Sequence, residues 1–215
     1  MYFYSNSRLD NYLCFVNYNT IESILIKKNI QFSEMSGSKK LIFNKLAKQI
    51  LIDHFQKKTS KLNPIKTSFS HGVDRSVMLI NNNISIYFVG VDIEYVDNTR
   101  PARFFLTNYI KKYVNAIEVD SADCLFSTII FSCMESLYKA LCSVCPFTFN
   151  IEDYIFLART KDYCVFNYAG NIKKFKHMKF FCNYYFMDSF VISVSLLDSS
   201  LKSQVVGGLL RYNLK

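Results

Sequence analysis

Residues 88–97 read FVGVDIEYVD, an apolar strand with two carboxylates set into it. Alternate side chains of a β-strand share a face. Val89, Val91 and Ile93 therefore point one way, and Gly90, Asp92 and Glu94 the other. The first face is ordinary core. The second carries two like charges beside a glycine, where a ligand or another backbone can approach closely. Two explanations stand at this point. A solvated face near a strand end would tolerate the pair. A hard cation such as Mg2+, which takes one or two carboxylates together with substrate phosphates, would give the pair a joint purpose.

Working outward, SVMLI (76–80) and SIYFVGVDIE (85–94) are expected to form a hairpin around the asparagine turn 81–83. Upstream, KKLIFNKLAKQILIDHF places Leu41, Phe43, Leu46, Ile50 and Phe55 near helical spacing, after a helix entry at Gly37 and Ser38. Lys39, Lys40, Lys45 and Lys48 fall mainly on its polar side, where solvation alone would explain them. The polar run KTSKLNPIK (58–66) is a loop, and a loop at Pro101 leads into another helix. A further helix spans about 123–142. From Asp153 onward, YIFLAR, DYCVFNY, FFCNYYF and FVISVSLL alternate with turn residues, which predicts an antiparallel sheet. Residues 1–30 hold shorter patches read as edge strands and turns. The sum is an α+β chain of two comparable halves, 1–100 and 101–215.

Size and composition bound the function. The chain has 215 residues, is 50% hydrophobic and 20% charged, and can bury a sizeable core. No uninterrupted apolar run reaches the roughly 18 residues of a membrane span. The first ten residues, MYFYSNSRLD, lack the basic and apolar regions of a signal peptide, so a cytoplasmic protein is expected. Seven scattered cysteines, an odd number, suit reduced thiols. Cys142 and Cys145 form one CxxC; a zinc site would have to add Cys164 and Cys182, which are not a second close pair, so buried thiols are the simpler reading. A net charge of +9 suits an anionic partner: nucleic acid, a phosphorylated cofactor or an acidic protein. In IKKFKHMKFF (172–181) lysines could meet phosphates while phenylalanines stack on bases, or the run could be a strand with a solvated lysine edge. No RNA-binding signature accompanies it.

Two further pieces bear on the acids. In FSCMESLYKAL (131–141), Cys133 or Met134, Leu137 and Leu141 continue an apolar stripe from Ile130. Glu135 and Lys139 stack one turn apart on another side; as a plain surface pair they would contribute only about 0.3–0.5 kcal/mol. SFSH (68–71) is read as a loop before a strand, with a histidine and backbone amides able to donate to phosphate oxygens.

The order SxSH, then VGVDIE, then FSxxESxxKAL resembles the 4′-phosphopantetheinyl transferases, of the two-halved type acting in surfactin and enterobactin synthesis. The resemblance runs from about Lys39 to Leu141. It implies a pseudo-dimer of two similar α/β halves, each a small antiparallel sheet on a long helix, with the site in the cleft between them. It implies transfer of phosphopantetheine from coenzyme A to a serine of an apo acyl or peptidyl carrier protein, giving 3′,5′-ADP. Asp92, Glu94 and Glu135 would hold Mg2+, with Glu135 and Lys139 the catalytic pair. His71 and Ser70 would meet the coenzyme A phosphates, and Lys40 or Lys45 the 3′-phosphate. A monomer with no membrane span and no nucleic-acid partner is expected, serving non-ribosomal peptide pathways such as siderophore or antibiotic synthesis. Two departures weigh against full activity. Met134 stands where the family usually has lysine. No glutamate in ARFFLTNYIKKY matches the family's proposed base, and Glu118, Asp120 and Asp123 come later.

Overall fold

The computed structural model describes residues 2–6, 11–17, 46–53, 66–72, 75–81, 83, 85–96, 124–203 and 210–212. Among these, ten strands form two antiparallel five-stranded sheets. The first sheet has the order β10–β1–β2–β4–β3. Its strands are β1 (Tyr2–Asn6), β2 (Asn11–Asn17), β3 (Lys66–His71), β4 (Arg75–Asn81) and β10 (Leu210–Tyr212). The second has the order β5–β9–β8–β7–β6. It comprises β5 (Ile86–Tyr95), β6 (Tyr154–Arg159), β7 (Tyr163–Tyr168), β8 (Lys179–Met187) and β9 (Phe190–Asp198). Helical residues 46–53 (α1), a long helix Cys124–Cys142 (α2) and one 3-10 turn at Ile151–Asp153 complete the described elements. The fold is α+β, as the pattern of runs predicts.

Strand periodicity explains the layering. Along β9, FVISVSLL puts Phe190, Ile192, Val194 and Leu196 on one face. They join Val89, Val91 and Ile93 of β5 and close on Leu13, Phe15, Val77 and Leu79 of the first sheet. This is the sheet-on-sheet core, where each large aliphatic side chain taken from water stabilises the fold by about 1.5–3 kcal/mol. The second sheet's other face receives α2, whose stripe Ile130, Cys133, Met134, Leu137 and Leu141 is fully buried. Ala47 and Leu51 of α1 cover Cys14, Val16, Met78 and Ile80 on the outside of the first sheet. The layers thus run helix, sheet, sheet, helix.

Several expectations are corrected. The asparagine turn does not close a hairpin: β4 pairs with β2 and β3, while β5 pairs with β9. Both edges of β4 are already taken, and β5 needs a sheet core on one face and α2 on the other. SFSH is not a loop. It belongs to β3, in a hairpin with β4 whose turn is closed by the Gly72 amide donating to the Arg75 carbonyl at 2.8 Å. Sheet membership does not follow the division at residue 100, because β5 belongs to the second sheet and β10 returns to the first. The run 172–181 is a turn over buried Phe175, followed by the start of β8, and Phe180 is also buried. Those two rings cannot stack on a base, while Phe181 is half-buried against Tyr163. Although no uninterrupted apolar run is that long, α2 has the length and mean hydropathy of a membrane span, with 67% of its apolar window buried in the protein. The expected helix after Pro101, Lys39, Lys40, Lys45, and the candidate bases Glu118, Asp120 and Asp123 lie outside the described residues.

Candidate metal centre

The site begins with a missing side chain. A Cβ built on Gly90 would lie 1.8 Å from the Ser136 carbonyl oxygen and 2.9 Å from the Ala140 nitrogen. Real side chains do not make such contacts, so the backbone of α2 rests directly on the backbone of β5. Small residues hold it there. Ser132 and Ser193 hydroxyls lie 2.8 Å apart, Ser136 and Ser195 hydroxyls 3.0 Å, and Ser193 also donates to the Ser132 carbonyl at 2.6 Å. Four buried hydroxyls are thereby satisfied at the helix–sheet contact, as burial of polar groups requires.

This close seat brings Glu135 and Lys139 over β5. One carboxylate oxygen from each of Asp92, Glu94 and Glu135 lies within 4.8 Å of the other two. The Lys139 ammonium donates to Asp92 Oδ1 at 2.7 Å, to Ser70 Oγ at 2.9 Å and to the Val91 carbonyl at 3.2 Å, and lies 3.7 Å from Glu135 Oε2. Ser70 in turn donates to Asp92 Oδ1 at 2.8 Å. Asp92 is only 1% exposed, and among the described residues its Oδ2 has no hydrogen-bond partner. Leaving a buried acceptor unsatisfied costs about 1–3 kcal/mol, more when it is charged. Burial is the main cause pushing the Glu135 carboxyl up to about 7; the charge of Asp92 adds to it, Lys139 opposes it and Glu94 adds again.

Three converging carboxylates with an orphaned buried oxygen fit a hard divalent cation, which selects oxygen ligands. The Lys139 ammonium answers only part of that charge. Asp92, Glu94 and Glu135 are the residues that could hold the ion.

The outer edge of β5 is also covered. Val91 donates its amide to Ser68 Oγ at 3.0 Å, and Lys66 Nζ donates to the Ile86 carbonyl. Lys66, Ser68 and Ser70 alternate along β3, so one face of that strand meets the edge at Ile86 and Val91 and the Asp92 carboxylate beside it.

Of the predicted site residues, Asp92, Glu94, Glu135, Lys139 and Ser70 come together. His71 ends β3 on the alternate face from Ser70, half-buried. Met134 is fully buried in the α2 core, turned away from Glu135. Sequence reading missed Ser68 and the serine pairs 132/193 and 136/195. Their signal was the SCMES spacing on the helix and the S-x-S alternation on β9, both of which read simply as small polar interruptions. Compared with protein-family models and with curated proteins, the chain matches none.

Proposed function

We propose that the protein is a Mg2+-dependent 4′-phosphopantetheinyl transferase, moving the group from coenzyme A to a serine of an apo acyl or peptidyl carrier protein and releasing 3′,5′-ADP. The service of non-ribosomal peptide pathways, such as siderophore or antibiotic synthesis, belongs to the same proposal. The observation that carries it is the meeting of Asp92, Glu94, Glu135 and Lys139. Their two sequence motifs are far apart, Asp92 and Lys139 being 47 positions from each other.

Asp92, Glu94 and Glu135 would hold Mg2+, which when bound offsets charge on the phosphates of coenzyme A. The remaining work falls to the chain. Lys139, partly exposed at the cluster's rim, would bring its positive charge near a phosphate or the attacking serine oxygen while its ammonium stays bonded to Asp92 and Ser70. Glu135 would act through the cation, as a ligand that must first give up the proton its carboxyl holds in the metal-free protein. Roles for His71, Lys40 and Lys45 at the coenzyme A phosphates rest on motif match. The proposed frame is a monomeric, cytoplasmic pseudo-dimer of two α/β halves. A second reading, a relative that binds coenzyme A or carrier protein without transfer, is favoured by Met134 and the absent base glutamate. Against it, the Met134 side chain completes the buried stripe of α2, so methionine there leaves the carboxylate cluster intact.

Intact-protein mass spectrometry tests the proposal. An apo peptidyl carrier protein incubated with the protein, coenzyme A and Mg2+ should gain one phosphopantetheine. EDTA or Glu135→Ala should abolish the gain. No gain across several carriers would favour the non-transferring relative.

A further inference from the structure

Ser70 is 5% exposed, and its hydroxyl is engaged on both sides. It donates to Asp92 Oδ1 and accepts from Lys139 Nζ, while the same lysine also donates to Asp92 Oδ1. The one donor of a serine hydroxyl is therefore spent on a carboxylate. Meeting a phosphate would require breaking a charge-assisted hydrogen bond inside the protein. Among the described residues, Asp92 Oδ1 thus accepts two bonds and Oδ2 accepts none. Ser70 also comes from a different sheet than Asp92, so the first sheet reaches across to fix a side chain of the second.

We propose that Ser70 is a positioning residue for a divalent-cation site rather than a phosphate ligand. With Lys139 it pins Asp92 Oδ1 and leaves Oδ2, which no hydrogen-bond donor among the described residues takes, as the oxygen offered to the cation. This rests on the reading of Asp92, Glu94 and Glu135 as that site. Partners that orient a metal's carboxylate ligands commonly change affinity by one to two orders of magnitude when removed.

The test measures Mn2+ binding by electron paramagnetic resonance and, separately, metal-free 3′,5′-ADP binding by calorimetry. Wild type, Glu135→Ala, Ser70→Ala and Ser70→Thr are compared on the full chain. Ser70→Ala should weaken Mn2+ binding about tenfold, Ser70→Thr should restore it, and 3′,5′-ADP binding should stay as in wild type. Thermal midpoints of the metal-free variants check that the fold is kept; should the alanine variant not fold, Ser70→Cys keeps the volume while losing the strong donor. Unchanged Mn2+ affinity with weakened 3′,5′-ADP binding would overturn the inference and return Ser70 to the phosphates. Wild type that binds no Mn2+, or binds it as well after Glu135→Ala, would instead remove the cation site itself and the inference with it.

Discussion

At the scale of single residues, Glu135 is the most informative group. Its carboxyl is pushed up to about 7, so the folded, metal-free protein binds a proton there that the unfolded chain, with an ordinary value of 4.5, releases sooner. A raised acid pKa contributes stability that is complete below the unfolded value and is lost as pH rises through the folded one. Metal-free protein should therefore lose thermal stability between about pH 4.5 and 7 through this group. Glu135→Gln, which is neutral at every pH, should raise the metal-free thermal midpoint at pH 8 and leave it nearly unchanged at pH 5. A cation must expel the same proton, so Mn2+ affinity should climb by up to about tenfold per pH unit below 7 and level off above 8. Scanning calorimetry with and without Mn2+ across that range checks both signs; a glutamine variant less stable than wild type at pH 8 would contradict the account. Period 2 made the Asp92–Glu94 pair legible, and helical spacing paired Glu135 with Lys139; that the two pairs meet was implied only by the motif resemblance, because no local period relates a strand to a distant helix. The role of Ser70 was not legible, because a serine's partner depends on what folds against it.

At the scale of elements, the seat of α2 on β5 is the decisive contact. Gly90→Ala would drive a methyl group into the helix backbone at Ser136, where rotamer changes cannot relieve it. Overpacking of this kind typically costs 1–3 kcal/mol, and here α2 itself must lift, so a loss of about 3 kcal/mol is expected. The lifted helix should also carry Glu135 away from Asp92. Denaturant unfolding measures the first effect and Mn2+ affinity the second. A variant that is destabilised but binds Mn2+ normally would show that Gly90 does not set the site. The sequence announced a close approach at this glycine and the helix at 123–142, and β6 to β9 were equally readable from alternation and turn residues. β3 escaped because its serines and lysine resemble a loop unless their common target, the edge of β5, is known. The β4–β5 pairing failed for a related reason: a local turn signal cannot tell that both edges of β4 are already occupied.

For the whole molecule, the two sheets are interleaved in the chain. The second sheet takes its first strand from before residue 100, and the first takes its last strand from beyond residue 200. Fragments 1–100 and 101–215 should each fail to give a dispersed amide spectrum alone, and a mixture of the two should recover structure. A fragment that folds by itself would refute this interdependence. The sequence suggested two halves because of the order of predicted strands and helices, but that order cannot reveal which sheet a strand joins. The same interleaving has a consequence for biosynthesis. The ladder partner of β5 is β9, with Gly90 opposite Ser195. At roughly 5–20 residues per second, a ribosome delivers that partner on the order of ten seconds after β5 has emerged. β3 is already made by then, and its row of Lys66, Ser68 and Ser70 reaches the free edge of β5 and Asp92. For those seconds β3 is the neighbour that can shelter the nascent strand, so the residues that later brace the carboxylates also guard the growing chain.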